Sequence, residues 1–79
     1  MKKSGIQIFG WYGTIAIVGA YFLVSFAIIS ADSLLYQLLN LTGAIGIVTV
    51  SLAKDDKQPA VLNIFWALIA LVAIIGIIF

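Results

Sequence analysis

The sequence has no cysteine and no histidine. Those two absences remove disulfide frameworks, thiol nucleophiles, imidazole acid–base chemistry, haem ligation and the usual zinc sites together. Charge is nearly as scarce: seven charged residues, 9% of 79, against 65% hydrophobic residues. A water-soluble domain of this size needs a polar surface over most of its residues, and seven charges cannot supply it. The net charge of +1 gives no electrostatic footprint for nucleic acid or for an acidic partner. There is a single proline, Pro59, so the long apolar runs are almost free of helix breakers.

What is present is arranged in three blocks. The charges cluster at Lys2 and Lys3, at Asp32, and at Lys54, Asp55, Asp56 and Lys57. Between them run apolar segments over about Ile6–Ile29, Ser33–Ala53 and Gln58–Phe79. As helices each is about 30–36 Å long, which matches a hydrocarbon core of about 30 Å. None alternates like a barrel strand, and all are longer than the roughly ten residues a barrel strand needs. The expected fold is an all-α membrane protein: one domain, residues 1–79, of three transmembrane helices with antiparallel neighbours.

The junctions fit that reading. In "ISADS" either Asp32 or Ser33 is placed to cap the second helix. Pro59 falls in the first turn of the third, where a missing N–H costs nothing, and Asp55 and Asp56 precede it, where the helix dipole favours negative charge. Both loops are too short for a folded extramembrane domain. All four lysines flank one side, so the positive-inside rule sets the N-terminus in the cytoplasm and Phe79 outside. The competing signal-peptide reading, cleaved near "IISADS", requires an apolar region far longer than the usual 7–15 residues, and the remainder would still be a two-helix membrane protein.

Projected at about 100° per residue, each helix has a small or polar face and a large aliphatic one. On the first, Gly10, Thr14, Ile17, Tyr21, Ser25 and Ile28 share a stripe. On the second, Tyr36, Asn40, Gly43, Ile47 and Ser51 do, with Thr42, Gly46 and Thr49 on a neighbouring one. On the third, Pro59, Asn63, Trp66, Ala67 and Ala70 cluster. Matching depths predicts an outer polar layer of Tyr21, Ser25, Tyr36, Gln37 and Asn40, and a thinner inner one around Asn63. Trp11 and Tyr12 are expected as interfacial aromatics. Trp66 is deeper, with Asn63 a candidate partner for its indole N–H.

Two functions fit those layers. They are hydrogen-bonded glue between helices, or the lining of a small cavity for a neutral polar solute. Three short helices cannot enclose such a cavity, so a site requires a second copy of the chain. No Asp, Glu, Lys, Arg or His lies within a span, which disfavours proton relays and charge-coupled pumps. Ser25 and Ser51 lack a base, and the adjacent Asp55 and Asp56 lack further ligands, so neither an enzyme nor a metal site nor a cofactor is expected.

The stretch "YQLLNLTGAIGI", followed by a short charged loop and "QPAVLNIFWALIAL", resembles an uncharacterised bacterial family of three-helix membrane proteins, some of them labelled permease-like. The resemblance spans nearly the whole chain, including "GWYGTIAIVGAYFLVS", and rests on Tyr36, Gln37, Asn40, Gly43, Asn63 and Trp66. It implies an architecture and no substrate. A more distant analogy is to the SemiSWEET-type sugar transporters, three-helix chains that dimerise in parallel. Their Pro-Gln pair in the first helix is absent here, and the lysine-based orientation is opposite to theirs. The functional expectation is a homo-oligomeric half-transporter, with an accessory subunit packed on a larger membrane complex as the alternative.

Overall fold

The computed structural model describes residues 3–79, with side-chain surroundings from residue 5 onward, so Lys2 lies outside it and Lys3 contributes only its backbone. Three helices account for nearly all of these residues: α1, Lys3–Ser25; α2, Leu34–Ala53; and α3, Lys57–Ile78. All three are long and apolar enough to cross a membrane. α2 packs against both neighbours, and α1 and α3 make no contact with each other. The helices therefore form a row with α2 in the middle.

The packing is inverted relative to a water-soluble core. Among the described residues the buried apolar ones are Ala16, Ala20, Ala44, Ala60, Ala70 and Ile74, and no large side chain is fully enclosed. The bulky residues point away from the neighbouring helices, with Ile8, Phe26, Ile69 and Val72 each more than two-thirds exposed. Apolar surface on that scale fits helices long and apolar enough to cross a membrane. Small residues inside let backbones approach and gain dispersion contacts, the driving force available where lipid removes the hydrophobic one.

The α1–α2 contact is the closest. A methyl group at Gly13 would collide with the carbonyl oxygen of Gly43, and one at Gly46 with the carbonyl oxygen of Phe9. A Cβ at Gly43 would stand 2.9 Å from the Ile17 side chain and 3.0 Å from the Gly13 carbonyl oxygen. Backbone thus lies on backbone. Further towards the N-terminus of α1, Gly10 faces Val50.

α1 is displaced from its expected position. It begins at Lys3 rather than near Ile6 and ends at Ser25 rather than Ile29. The stop is a left-handed residue: Ala27 has φ 59°, its N–H donates to Val24 O at 3.0 Å, and the Ile28 N–H donates to Leu23 O at 2.9 Å. This paired closure is the Schellman motif, in which two otherwise orphaned carbonyls are satisfied. The apolar run therefore overran the true end, because Phe26–Ile29 spill into the link and no glycine marks the stop. α2 ends in the same way, with Asp55 at φ 54°, its N–H on Leu52 O and the Asp56 N–H on Ser51 O.

Of the two cap candidates for α2, Ser33 is the one used: its hydroxyl accepts from the Tyr36 N–H at 3.2 Å. Asp32 instead accepts from the Ser30 hydroxyl at 2.6 Å. Asp56 occupies the N-cap position of α3 without a side-chain cap bond.

Candidate functional site

α2 alone has two helical neighbours, and two of the three buried polar residues among those described, Asn40 and Ser51, are on it. Asn40, near its centre, is 4% exposed. Its amide donates to Tyr36 O one turn back at 2.8 Å, and its oxygen accepts from the indole N–H of Trp66 on α3 at 2.8 Å. Asn63 is also buried and donates to Pro59 O at 2.9 Å. Trp66 therefore pairs across to Asn40, not along its own helix to Asn63 as the i, i+3 spacing suggested. Asn63 turns back to a carbonyl on its own helix, while Asn40 presents its oxygen to α3.

Around this bond is a cleft of about 150 Å³ lined by Tyr36, Gln37, Asn40, Trp66, Ile69 and Ala70. Gln37, one of its lining residues, donates to Ala31 O at 3.0 Å. Tyr36, Gln37, Asn40 and Trp66 are thus brought together. Gly43 lies one turn further on and serves the α1 contact. Asn63 sits apart among the small residues of the α2–α3 seam, beside buried Ala60.

Tyr21 and Ser25 do not join them. Tyr21 is 69% exposed and Ser25 is exposed as well. The face of α1 that meets α2 is Gly13, Ala16 and Ala20, with Gly10 and Ile17 at its edge. The expected stripe through Thr14, Tyr21 and Ser25 is rotated about a quarter turn from it. Side-chain size, not polarity, chose the contact face, because glycine and alanine permit the backbone approach that hydroxyls would block. The spacing of Gly13, Ala16 and Ala20 held that signal.

A second, wider cleft of about 550 Å³ opens between α1 and α2, lined by Gln7, Gly10, Trp11, Thr14, Ile47, Val50, Ser51 and Lys54. Ser51 and Asn40 lie within about 20° of each other on the helical projection, so both clefts open on the same side of α2. Thr42 and Thr49 occupy the opposite side and are exposed. Each of these two donates to the carbonyl one turn back, Leu38 O and Ile45 O, at 2.8 Å. The Thr42 hydroxyl also pairs with Tyr12 OH at 2.7 Å, and because its own proton goes to Leu38 O, Tyr12 is the donor. Tyr12 is therefore a bridge to α2, a role sequence patterning did not assign to it.

The two sides of the row thus differ chemically. On the side away from these two clefts, where Thr49 lines an otherwise apolar groove of about 240 Å³ with Ile45, Val48, Ile64, Ala67 and Leu68, the threonines are paired. On the cleft side Thr14, Tyr21 and Ser25, which fall within about 20° of one line along α1, have no side-chain hydrogen bond among the described residues. No cluster of metal-binding side chains occurs among the described residues.

A protein-family model matches residues 6–79, which include nearly all of α1, all of α2 and α3 and both links. The family is uncharacterised and carries a bacterial name. This chain belongs to it. Neither the curated proteins nor the solved structures contain a match. Membership spans both clefts and every candidate residue named above.

Proposed function

We propose that the protein is a multi-pass protein of the bacterial inner membrane and works as a homo-oligomeric half-transporter for a neutral polar solute. In this reading the three helices cross the bilayer antiparallel, with the N-terminus in the cytoplasm and Phe79 outside. The reversed order of contacts supports the antiparallel arrangement: Gly10 faces Val50, whereas Ile17 faces Gly43. Orientation rests on the lysines, all of which flank one side.

The observation that carries the assembly is the chemical difference between the two sides. A hydroxyl without a partner in hydrocarbon is costly, and lipid offers none. Thr42 and Thr49 meet that constraint within α2, so their side is compatible with lipid. Thr14, Tyr21 and Ser25 do not meet it within one chain, and a second copy set against that side would supply partners and cover the cleft at Asn40 and Trp66. Parallel repeats around an axis normal to the membrane are an established transporter plan. The spans contain neutral donors and acceptors and no ionisable side chain at their centres, which suits an uncharged solute and non-catalytic work.

The alternative is an accessory subunit whose cleft side packs on a larger membrane protein. It is favoured by the Asn40–Trp66–Tyr36 bonds, which already satisfy one another and leave the carboxamide little capacity for a solute. Two measurements separate the readings. The native mass of the detergent-solubilised protein should be a multiple of the chain mass, and T14V/Y21F/S25A should shift it towards one chain. A lone monomer before any substitution removes the half-transporter. In proteoliposomes, uptake of neutral polyols or sugars that is lost on Asn40→Leu with the oligomer intact supports transport. An oligomer with no such flux favours the accessory role.

A further inference from the structure

We propose that the 550 Å³ cleft at the lysine-bearing end of α1 and α2 is a binding site for an acidic phospholipid, resting on the reading of the helices as membrane-spanning. The headgroup phosphate would lie at Lys54, with the acyl chain running along α1 from Thr14.

Four observations converge on it. First, the cleft is amphipathic: Gln7 and Lys54 stand at its lysine-bearing end, and Gly10, Trp11, Ile47 and Val50 give it a largely apolar wall that carries the hydroxyls of Thr14 and Ser51. That is the division a phospholipid presents. Second, its one charged lining residue is a cation. Asp55 and Asp56 follow Lys54 in the chain but line no part of the cleft, so no carboxylate opposes a phosphate there.

Third, Ser51 is a polar floor. It is 6% exposed, lines the cleft, and its hydroxyl has no hydrogen bond among the described residues, yet it is not sealed away from the cleft. It lies one turn before Lys54, so hydroxyl and ammonium share a helix face. The indole of Trp11, 67% exposed, is placed as an amphipathic rim.

Fourth, the cleft continues. A second trough of about 530 Å³, almost wholly apolar, is lined by Thr14, Ile15, Val18, Gly19, Phe22 and Leu23, and shares Thr14 with the first. Gly19 forms its dent: a side chain there would meet nothing within 4 Å. A free phosphate would use the polar end and leave this trough without purpose. An acyl chain uses both. A lysine at the membrane surface attracts anionic lipid by an amount corresponding to about fivefold in affinity.

Native mass spectrometry of the full chain, released from vesicles of phosphatidylglycerol and phosphatidylcholine in equal parts, tests the assignment. The expected result is preferential retention of phosphatidylglycerol, reduced about fivefold by Lys54→Gln and left unchanged by Lys57→Gln, a lysine outside the cleft. Equal loss in both variants would mean diffuse surface attraction and overturn the site. Competition by millimolar inorganic phosphate that abolishes lipid retention would also overturn it, marking a free-anion site. Failure to incorporate into pure phosphatidylcholine vesicles would instead reject the membrane reading itself. Circular dichroism of K54Q confirms that the helices persist, and Ser51→Ala, which leaves the charge intact, should weaken retention less than K54Q does.

Discussion

The indole N–H of Trp66 and the carboxamide oxygen of Asn40 meet at 2.8 Å across the α2–α3 seam. It is the one side-chain hydrogen bond joining those helices among the described residues. Interhelical bonds of this kind contribute roughly 0.6 kcal/mol on average and up to about 1.7. A double-mutant cycle with Asn40→Leu and Trp66→Phe, read by unfolding in a mixed detergent titration, should give a coupling of about 0.5–1.7 kcal/mol. Strict additivity would show that the two side chains do not act together.

The backbone crossing of α1 and α2 predicts a sharp division among glycines. Gly13→Ala and Gly46→Ala each drive a methyl into a carbonyl oxygen. The helices must then separate, with a loss of about 1–3 kcal/mol. Gly19→Ala and Gly76→Ala meet nothing within 4 Å and should be neutral or stabilise by up to about 1 kcal/mol through helix propensity. Thermal unfolding of the four variants side by side checks the contrast.

Ala27 holds a left-handed conformation with a Cβ that disfavours it. Ala27→Gly should relieve about 1 kcal/mol of that strain, offset in part by the greater freedom of glycine in the unfolded chain. A raised unfolding midpoint is expected. Ala27→Val, with a branched side chain at the same φ, should lower it.

On the side away from the clefts, Thr42→Val removes the acceptor of Tyr12 and should weaken the α1–α2 contact by about 0.6 kcal/mol. Thr49→Val removes only a bond within α2 and should change little. Equal effects would mean that the Tyr12–Thr42 pair contributes nothing between helices.

The absence of cysteine makes topology directly testable. Single cysteines at Ala31 and at Gln58, both exposed, should differ in whole cells. A membrane-impermeant maleimide should label Ala31→Cys from outside, and Gln58→Cys only after lysis. The opposite pattern would reverse the proposed orientation.

The three helices were legible because composition alone dictates them: charge clusters at the junctions and twenty or so apolar residues between. The proline in the first turn of α3 was legible for the same local reason, whereas the cap of α2 was legible only as a choice between Asp32 and Ser33, which the Tyr36 N–H settles on Ser33. The end of α1 was not, since a left-handed alanine leaves no mark in sequence and the apolar run continues past it. Which face of α1 turns inward was also hidden. Polarity marked Thr14, Tyr21 and Ser25, but close packing favours the smallest side chains, and Gly13, Ala16 and Ala20 won. The partner of Trp66 depended on the relative height of two helices, which no intrahelical spacing encodes.

Because α1 and α3 never touch, the two outer helices are held through separate joints on α2. The joints differ in mechanical character. At α3 a hydrogen bond between Asn40 and Trp66 fixes one height along the axis, so that helix is pinned. At α1 backbone lies on backbone, with Ile17, Ile47 and Val50 seated over the glycines and Tyr12 bonded to Thr42 at one edge, so close contact along the crossing holds that joint. Each outer helix therefore answers to α2 alone, and a change at one joint reaches the other outer helix only through it.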